Sequence, residues 1–140
     1  MKIVKIDKKN LNDAVNAAVE VLKNGGAVVV PTDTVYGLAA DVGNERAVKK
    51  VFKIKSRPKD KKLPVFVSSF EMLKKIVGFD QNRVLVSEPG SDSDQQIFEF
   101  LKKVWPGKIT CVFSAKNGGT VGVRMPNYDL VLKIIKKFGK

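Results

Sequence analysis

The sequence predicts an α/β protein built as a single domain over its 140 residues, and three observations predict it. Segments with apolar residues three and four apart alternate with short runs of β-forming residues. One such run, Gly26 to Pro31, is apolar throughout, as strands covered on both faces are. Asn117-Gly118-Gly119, between two β-rich stretches, is a hairpin signal, so at least one pair of strands is antiparallel.

The elements follow in order. Leu11, Ala14, Val15, Ala18, Val19 and Leu22 form one helical stripe, with Asn10 or Asn12 as its cap and Gly25 as its left-handed end. After the apolar strand, a second helix runs from about Asn44 to Ile54, with Ala47, Val48, Val51 and Phe52 inward. Leu63 to Val67 reads as a strand, and Ser69 caps a short helix carrying Met72, Leu73 and Ile76. Arg83 to Val86 reads as another strand, and SEPGSDSD, Ser87 to Asp94, as a loop. A helix follows with Ile97, Phe98, Leu101 and Val104 on one face. Ile109 to Ser114 and TVGVRMP, Thr120 to Pro126, flank the hairpin turn. The last helix starts at about Asn127 as its cap, buries Leu130, Val131, Ile134, Ile135 and Phe138, and stops at Gly139.

Composition narrows the chemistry. There is no histidine and one cysteine, Cys111, so imidazole bases, histidine metal sites and an intrachain disulfide are excluded. The lone cysteine and the charged N-terminus, which has no signal-like apolar stretch, fit a reducing, cytoplasmic setting. No apolar run is long enough to span a membrane, so no membrane partner is expected. Twenty-six Lys and Arg against fourteen Asp and Glu leave a net charge of +12, which favours polyanions such as nucleic acid, nucleotides or acidic membranes, or is simply a solvated lysine surface. Glycine loops of the Walker and GxGxxG kinds, a serine elbow and paired carboxylates are all missing. An enzyme with this inventory works by positioning and by neutralising charge.

Four places carry polar or cationic groups at strand and helix ends. PTDTVYGL places Thr32, Thr34 and Tyr36 just past the apolar strand, where ligands of α/β proteins are met; the same hydroxyls would equally satisfy local backbone. KIKSRPKDKKLP holds Lys53, Lys55, Arg57, Lys59, Lys61 and Lys62 against one acid, Asp60, and is either a phosphate-binding loop or a solvated charge run. WPGKIT, ending in Thr110, is a forced turn and reads first as a structural corner. TVGVRMP runs from Thr120 to a strand-end cation, Arg124, that suits a carboxylate or phosphate, or is a surface arginine on an edge strand.

Taken in this order, PTDTVYGL, KIKSRP with LPVFVSS, WPGKIT and VGVRMP resemble the YrdC-like threonylcarbamoyl-adenylate synthases over nearly the whole chain. The resemblance implies a twisted mixed β-sheet flanked by helices, with a basic concave face. It implies synthesis of threonylcarbamoyl-AMP and pyrophosphate from L-threonine, bicarbonate and ATP with Mg2+, for the threonylcarbamoyl-adenosine modification of tRNA. Position by position it assigns Thr32 and Arg124 to threonine, and Lys55, Arg57 and Thr120 to ATP, with Thr34, Tyr36 and Thr110 as neighbours. It also implies tRNA or double-stranded RNA and tRNA-modification proteins as partners, the alternative function being RNA binding without turnover.

Two departures from the family pattern are visible. The family continues after a segment like FGK with a strand and an S-A-N motif, so this chain is expected to be truncated at its C-terminal side; Ser114-Ala115-Lys116-Asn117 has the wrong spacing to stand in. The stretch from Phe79 to Asp94 is longer than the family's, as surface loops tolerate.

Overall fold

The computed structural model describes residues 2–58, 60–77 and 93–139. Among them are five helices and five strands: α1 Leu11–Lys23, β1 Ala27–Val30, β2 Gly37–Ala40, α2 Glu45–Ile54, β3 Val65–Phe66, α3 Phe70–Ile76, α4 Ser93–Val104, β4 Cys111–Ser114, β5 Thr120–Arg124 and α5 Asp129–Phe138. The mixed α/β class expected from the alternating pattern is what forms. The chain packs as two compact units, Met1–Lys62 with Tyr128–Lys140, and Leu63–Asn127.

In the first unit, β1 and β2 form an antiparallel pair in which Val30 faces Gly37 and Ala27 faces Ala40. Helix α1 packs on β1 and on α5, and α2 on both strands. The stripe of α1 behaves as its spacing requires, with Ala14, Val15, Val19 and Leu22 buried. Helix α5 buries Leu130, Val131 and Ile134, while Ile135 and Phe138 are only half-buried. Its expected cap at Asn127 is not the one used. Tyr128 holds the position without a side-chain bond, and Gly139, at φ 78°, closes the far end as expected. Asn10 precedes α1 but does not cap it either; its side chain accepts from the Asp7 amide and donates to the Lys5 carbonyl, which folds the preceding turn.

The strand expected to be covered on both faces is not. Val30 is buried, but Val29 is 64% exposed, because β1 alternates in a two-stranded ladder. Nothing in the sequence announces strand β2, since GLAA carries no β-branched residue. After it, buried Asp41 accepts from the Gly43 amide at 2.9 Å, and Asn44 caps α2 by accepting from the Ala47 amide at 3.1 Å. The Asn44 side-chain amide also lies where a Cβ on Gly25 would come within 2.9 Å, so the cap of α2 sits against the end of α1 because residue 25 has no side chain. Asn44→Ala therefore removes a cap and is expected to lower stability by about 1 kcal/mol. A thermal melt followed by circular dichroism measures it.

In the second unit, three strands lie in the order β3-β5-β4, with β3 parallel and β4 antiparallel to the central β5. The NGG turn joins β4 to β5 as predicted, with Gly118 and Gly119 both at positive φ. Ser69 caps α3 through the Met72 amide. The core gathers around Trp105, whose ring stacks on Phe70 at 6.4 Å and meets Phe113 edge-on at 6.2 Å; Leu73 and Leu101 are fully buried. The strand predicted at Arg83 to Val86 and most of the SEPGSDSD loop lie outside the described residues, and Ser93 and Asp94 belong to α4 rather than to that loop.

Candidate functional site

The candidates divide between the units: Thr32, Thr34, Tyr36, Lys55 and Arg57 lie in the first, and Thr110, Thr120 and Arg124 in the second.

Strand β1 ends at Val30, and Pro31 to Tyr36 carry the chain to β2. The Thr32 hydroxyl donates to the Val35 carbonyl at 2.6 Å and accepts from the Thr34 amide at 3.2 Å, with the Thr34 hydroxyl 3.1 Å away. A hydroxyl has one donor and two lone pairs. With the Thr34 hydroxyl donating to it, Thr32 has its whole capacity engaged in the loop's own turn. Of the two uses open to a strand-end hydroxyl, Thr32 shows the local one. Tyr36 is 74% exposed at the end of the same loop.

Lys55 and Arg57 sit on a turn of defined geometry. Lys55 is the C-cap of α2, and Ser56 follows at φ 46°. The Ser56 amide bonds back to the Lys53 carbonyl at 3.2 Å and the Arg57 amide to the Phe52 carbonyl at 3.0 Å. This paired closure is the Schellman motif, whose left-handed position usually holds glycine. Helix α1 ends the same way with glycine there: Gly25, at φ 70°, bonds to Leu22, and Gly26 to Val21.

Beyond the turn, Arg57 donates from Nε to the Lys61 carbonyl at 2.8 Å and from Nη2 to the Lys62 carbonyl at 3.0 Å. The Lys61 amide meets the Pro58 carbonyl at 3.1 Å. One edge of the guanidinium thus clasps the lysine-rich segment into a compact loop, using two of its five N–H donors. Among the described residues of the run that the sequence leaves between phosphate loop and solvated charge, Arg57, Pro58, Lys61 and Lys62 are folded onto one another.

In the second unit, Arg124 ends the central strand and is only 8% exposed, so it is not a surface arginine on an edge strand. It stands beside Phe66 in parallel register, its guanidinium 5.9 Å from the ring centre. Its Nε donates to the Gly107 carbonyl at 2.9 Å, and the Gly107 amide donates to the Met125 carbonyl at 2.8 Å. The Trp105 indole donates to the Ile109 carbonyl at 2.7 Å. WPGKIT is therefore a structural corner, and that corner seats Arg124. Gly107 permits it, because a Cβ there would run into the Val104 carbonyl.

Thr110 is exposed, its methyl 3.3 Å from where a Cβ on Gly122 would stand. Thr120 lies at the other end of β5, about 13 Å from Arg124 at the usual rise of a strand, and both fall on one face by alternation. The structure thus groups Thr110 with the middle of β5 and separates Thr120 from Arg124. Burial pushes the Cys111 thiol up, which keeps it protonated near neutral pH and a poor nucleophile.

Two residues of these arrangements give no signal in the sequence, and a third gives only a partial one. Nothing in KIKSRP marks Ser56 as left-handed, and nothing in LPVF marks Phe66 as the ring beside Arg124. Gly107 is visible only as half of a Pro-Gly turn.

Against known proteins, the family profile Sua5/YciO/YrdC, described as telomere recombination, matches residues 20–140. The threonylcarbamoyl-AMP synthase of Pyrococcus abyssi is 36% identical over 124 residues, 82% of this chain and 33% of that protein. The threonylcarbamoyl-AMP synthase of Klebsiella pneumoniae is 33% identical over 138 residues, 92% of this chain and 67% of that protein. The chain thus spans from a third to about two thirds of the length of these relatives. The crystal structure of P. abyssi Sua5 complexed with L-threonine superposes with a TM-score of 0.73 at 30% identity, covering 95% of this chain and 37% of the other.

Proposed function

The chain belongs to the Sua5/YciO/YrdC family, and from that premise we propose that it acts as an L-threonylcarbamoyladenylate synthase. The substrates are L-threonine, bicarbonate and ATP; the products are threonylcarbamoyl-AMP and pyrophosphate. The observation that carries the reading is the turn after α2, which presents Lys55 and Arg57 on either side of one left-handed residue within a clasped cationic loop. A triphosphate needs such a site, with a mobile ammonium and a planar guanidinium held at fixed spacing.

The chemistry uses what these residues supply. The threonine amine attacks bicarbonate to give a carbamate with loss of water. A carbamate oxygen then attacks the α-phosphorus of ATP, and pyrophosphate leaves. Every reactant carries anionic oxygen, so cations and polar donors that gather them lower the barrier by proximity and charge stabilisation. In this reading Lys55 and Arg57 hold the ATP phosphates, with Thr120 as a further ATP contact. Arg124 meets the threonine carboxylate and Thr32 the amino acid, the latter by releasing one of its bonds within the loop. Thr34, Tyr36 and Thr110 are neighbouring contacts. The threonine complex of the P. abyssi relative supports the amino-acid part.

Among the described residues, no three acidic, histidine or cysteine side chains gather into a metal site. Mg2+ accordingly enters this reading as a companion of the ATP phosphates, which suit a hard cation. No helix of the described residues is long and apolar enough to cross a membrane. The setting proposed is the cytoplasm, where tRNA and tRNA-modification proteins are the downstream partners.

Calorimetric titration tests the assignment. ATP and L-threonine are each expected to bind the chain, with ATP weakened by added salt; a chain that binds neither overturns the proposal. The net charge of +12 favours a second reading, RNA binding without turnover. That reading requires tRNA affinity falling with salt by about 0.9 log units per log unit of salt for each phosphate neutralised, and salt-insensitive or absent binding removes it.

A further inference from the structure

Ser56 is the one non-glycine residue at positive φ among the described residues. The left-handed conformation is unfavourable for an L-residue, and α1 makes the same turn with a glycine at no such cost. If the turn were all that mattered, glycine would serve it better. The serine side chain is exposed, and among the described residues no hydrogen bond of its hydroxyl helps to close the turn. The Ser56 amide is already bonded to Lys53 and the Arg57 amide to Phe52, so the backbone of the turn is not left to bind an anion. What remains unexplained is an exposed serine held in a left-handed conformation, with a cationic residue on each side of it in the sequence. Strain retained at such a place points to use of the side chain.

We infer that the Ser56 hydroxyl is a further phosphate-binding group, donating to an ATP phosphate oxygen alongside Lys55 and Arg57. The inference rests on the reading of Lys55 and Arg57 as the triphosphate site. Its chemistry is a hydroxyl donor to an anionic oxygen, a bond stronger than one between neutral groups.

Ser56→Gly gives the test an unusual sign. The variant relieves the backbone strain, so its unfolding midpoint is expected to rise, while its affinity for ATP falls about tenfold with the loss of one charge-assisted bond. Ser56→Ala is expected to lose ATP affinity equally without the gain in stability. Adenosine, which has no phosphate, is expected to bind all three proteins alike. A Ser56→Gly protein that is more stable and binds ATP like the parent overturns the inference, as does one that is no more stable than the parent. If Lys55→Ala and Arg57→Ala both bind ATP like the parent, the failure is that of the triphosphate reading itself. If they lose affinity and the Ser56 variants do not, the failure is confined to Ser56.

Discussion

Trp105→Ala is expected to destabilise the second unit by about 3–5 kcal/mol, the range for removing a large buried aromatic. The ring is 4% exposed, stacks on Phe70 and meets Phe113. Its indole N–H closes the corner that seats Arg124. Truncation leaves a cavity, an unpaired Ile109 carbonyl and a loosened Pro106-Gly107 turn together. Against a typical total of about 5–15 kcal/mol, such a loss takes a large part of the stability of the fold. Trp105 is the sole tryptophan of the chain, so the unfolding is followed by far-ultraviolet circular dichroism in a denaturant series rather than by fluorescence. Trp105→Phe keeps an aromatic ring in the cluster but loses the indole bond and part of the buried ring volume, at a cost of about 1–3 kcal/mol. A Trp105→Ala protein that melts like the parent would show that the aromatic cluster does not organise this unit.

Arg57→Ala is expected to raise the dissociation constant for ATP by about 10- to 100-fold, the loss of one or two charge-assisted bonds. It also removes the two donors that hold the Lys61 and Lys62 carbonyls. Both carbonyls lie on an exposed loop, so global stability is expected to fall by no more than about 1–2 kcal/mol. Binding and folding are thus separable at this position. Arg57→Lys restores the charge but not the clasp, because an ammonium lacks the planar fork that reaches two carbonyls at once. It is expected to recover less than half of the lost binding free energy. Full recovery with lysine would mean that charge alone matters and that the clasp is incidental.

What was legible in the sequence was what periodicity and turn chemistry encode. The stripes of α1, α2 and α5 announce themselves because each must bury one face, and Asn117-Gly118-Gly119 because positive φ is open to glycine. The candidate residues were legible too, as hydroxyls and cations clustered at the ends of elements. Their local roles were not. Thr32 looks like any strand-end hydroxyl until the Val35 carbonyl is found against it. For Arg124 the sequence leaves a ligand-facing cation and a surface arginine equally open, because its burial depends on Phe66 and Gly107, which are distant in the chain. Strand β2 escapes because small residues form a strand only when a partner such as β1 supplies the ladder. The left-handed Ser56 escapes because conformation at one residue is set by the two bonds that close the turn around it.

The proposed role of the chain as a synthase is tested most directly by pyrophosphate release from the purified protein with each reactant omitted in turn. Release is predicted when ATP, L-threonine and bicarbonate are all present, and not when either threonine or bicarbonate is left out. The Arg57→Ala protein is predicted to release far less at the same ATP concentration. No release from the complete mixture, or release that continues without threonine, would contradict the account.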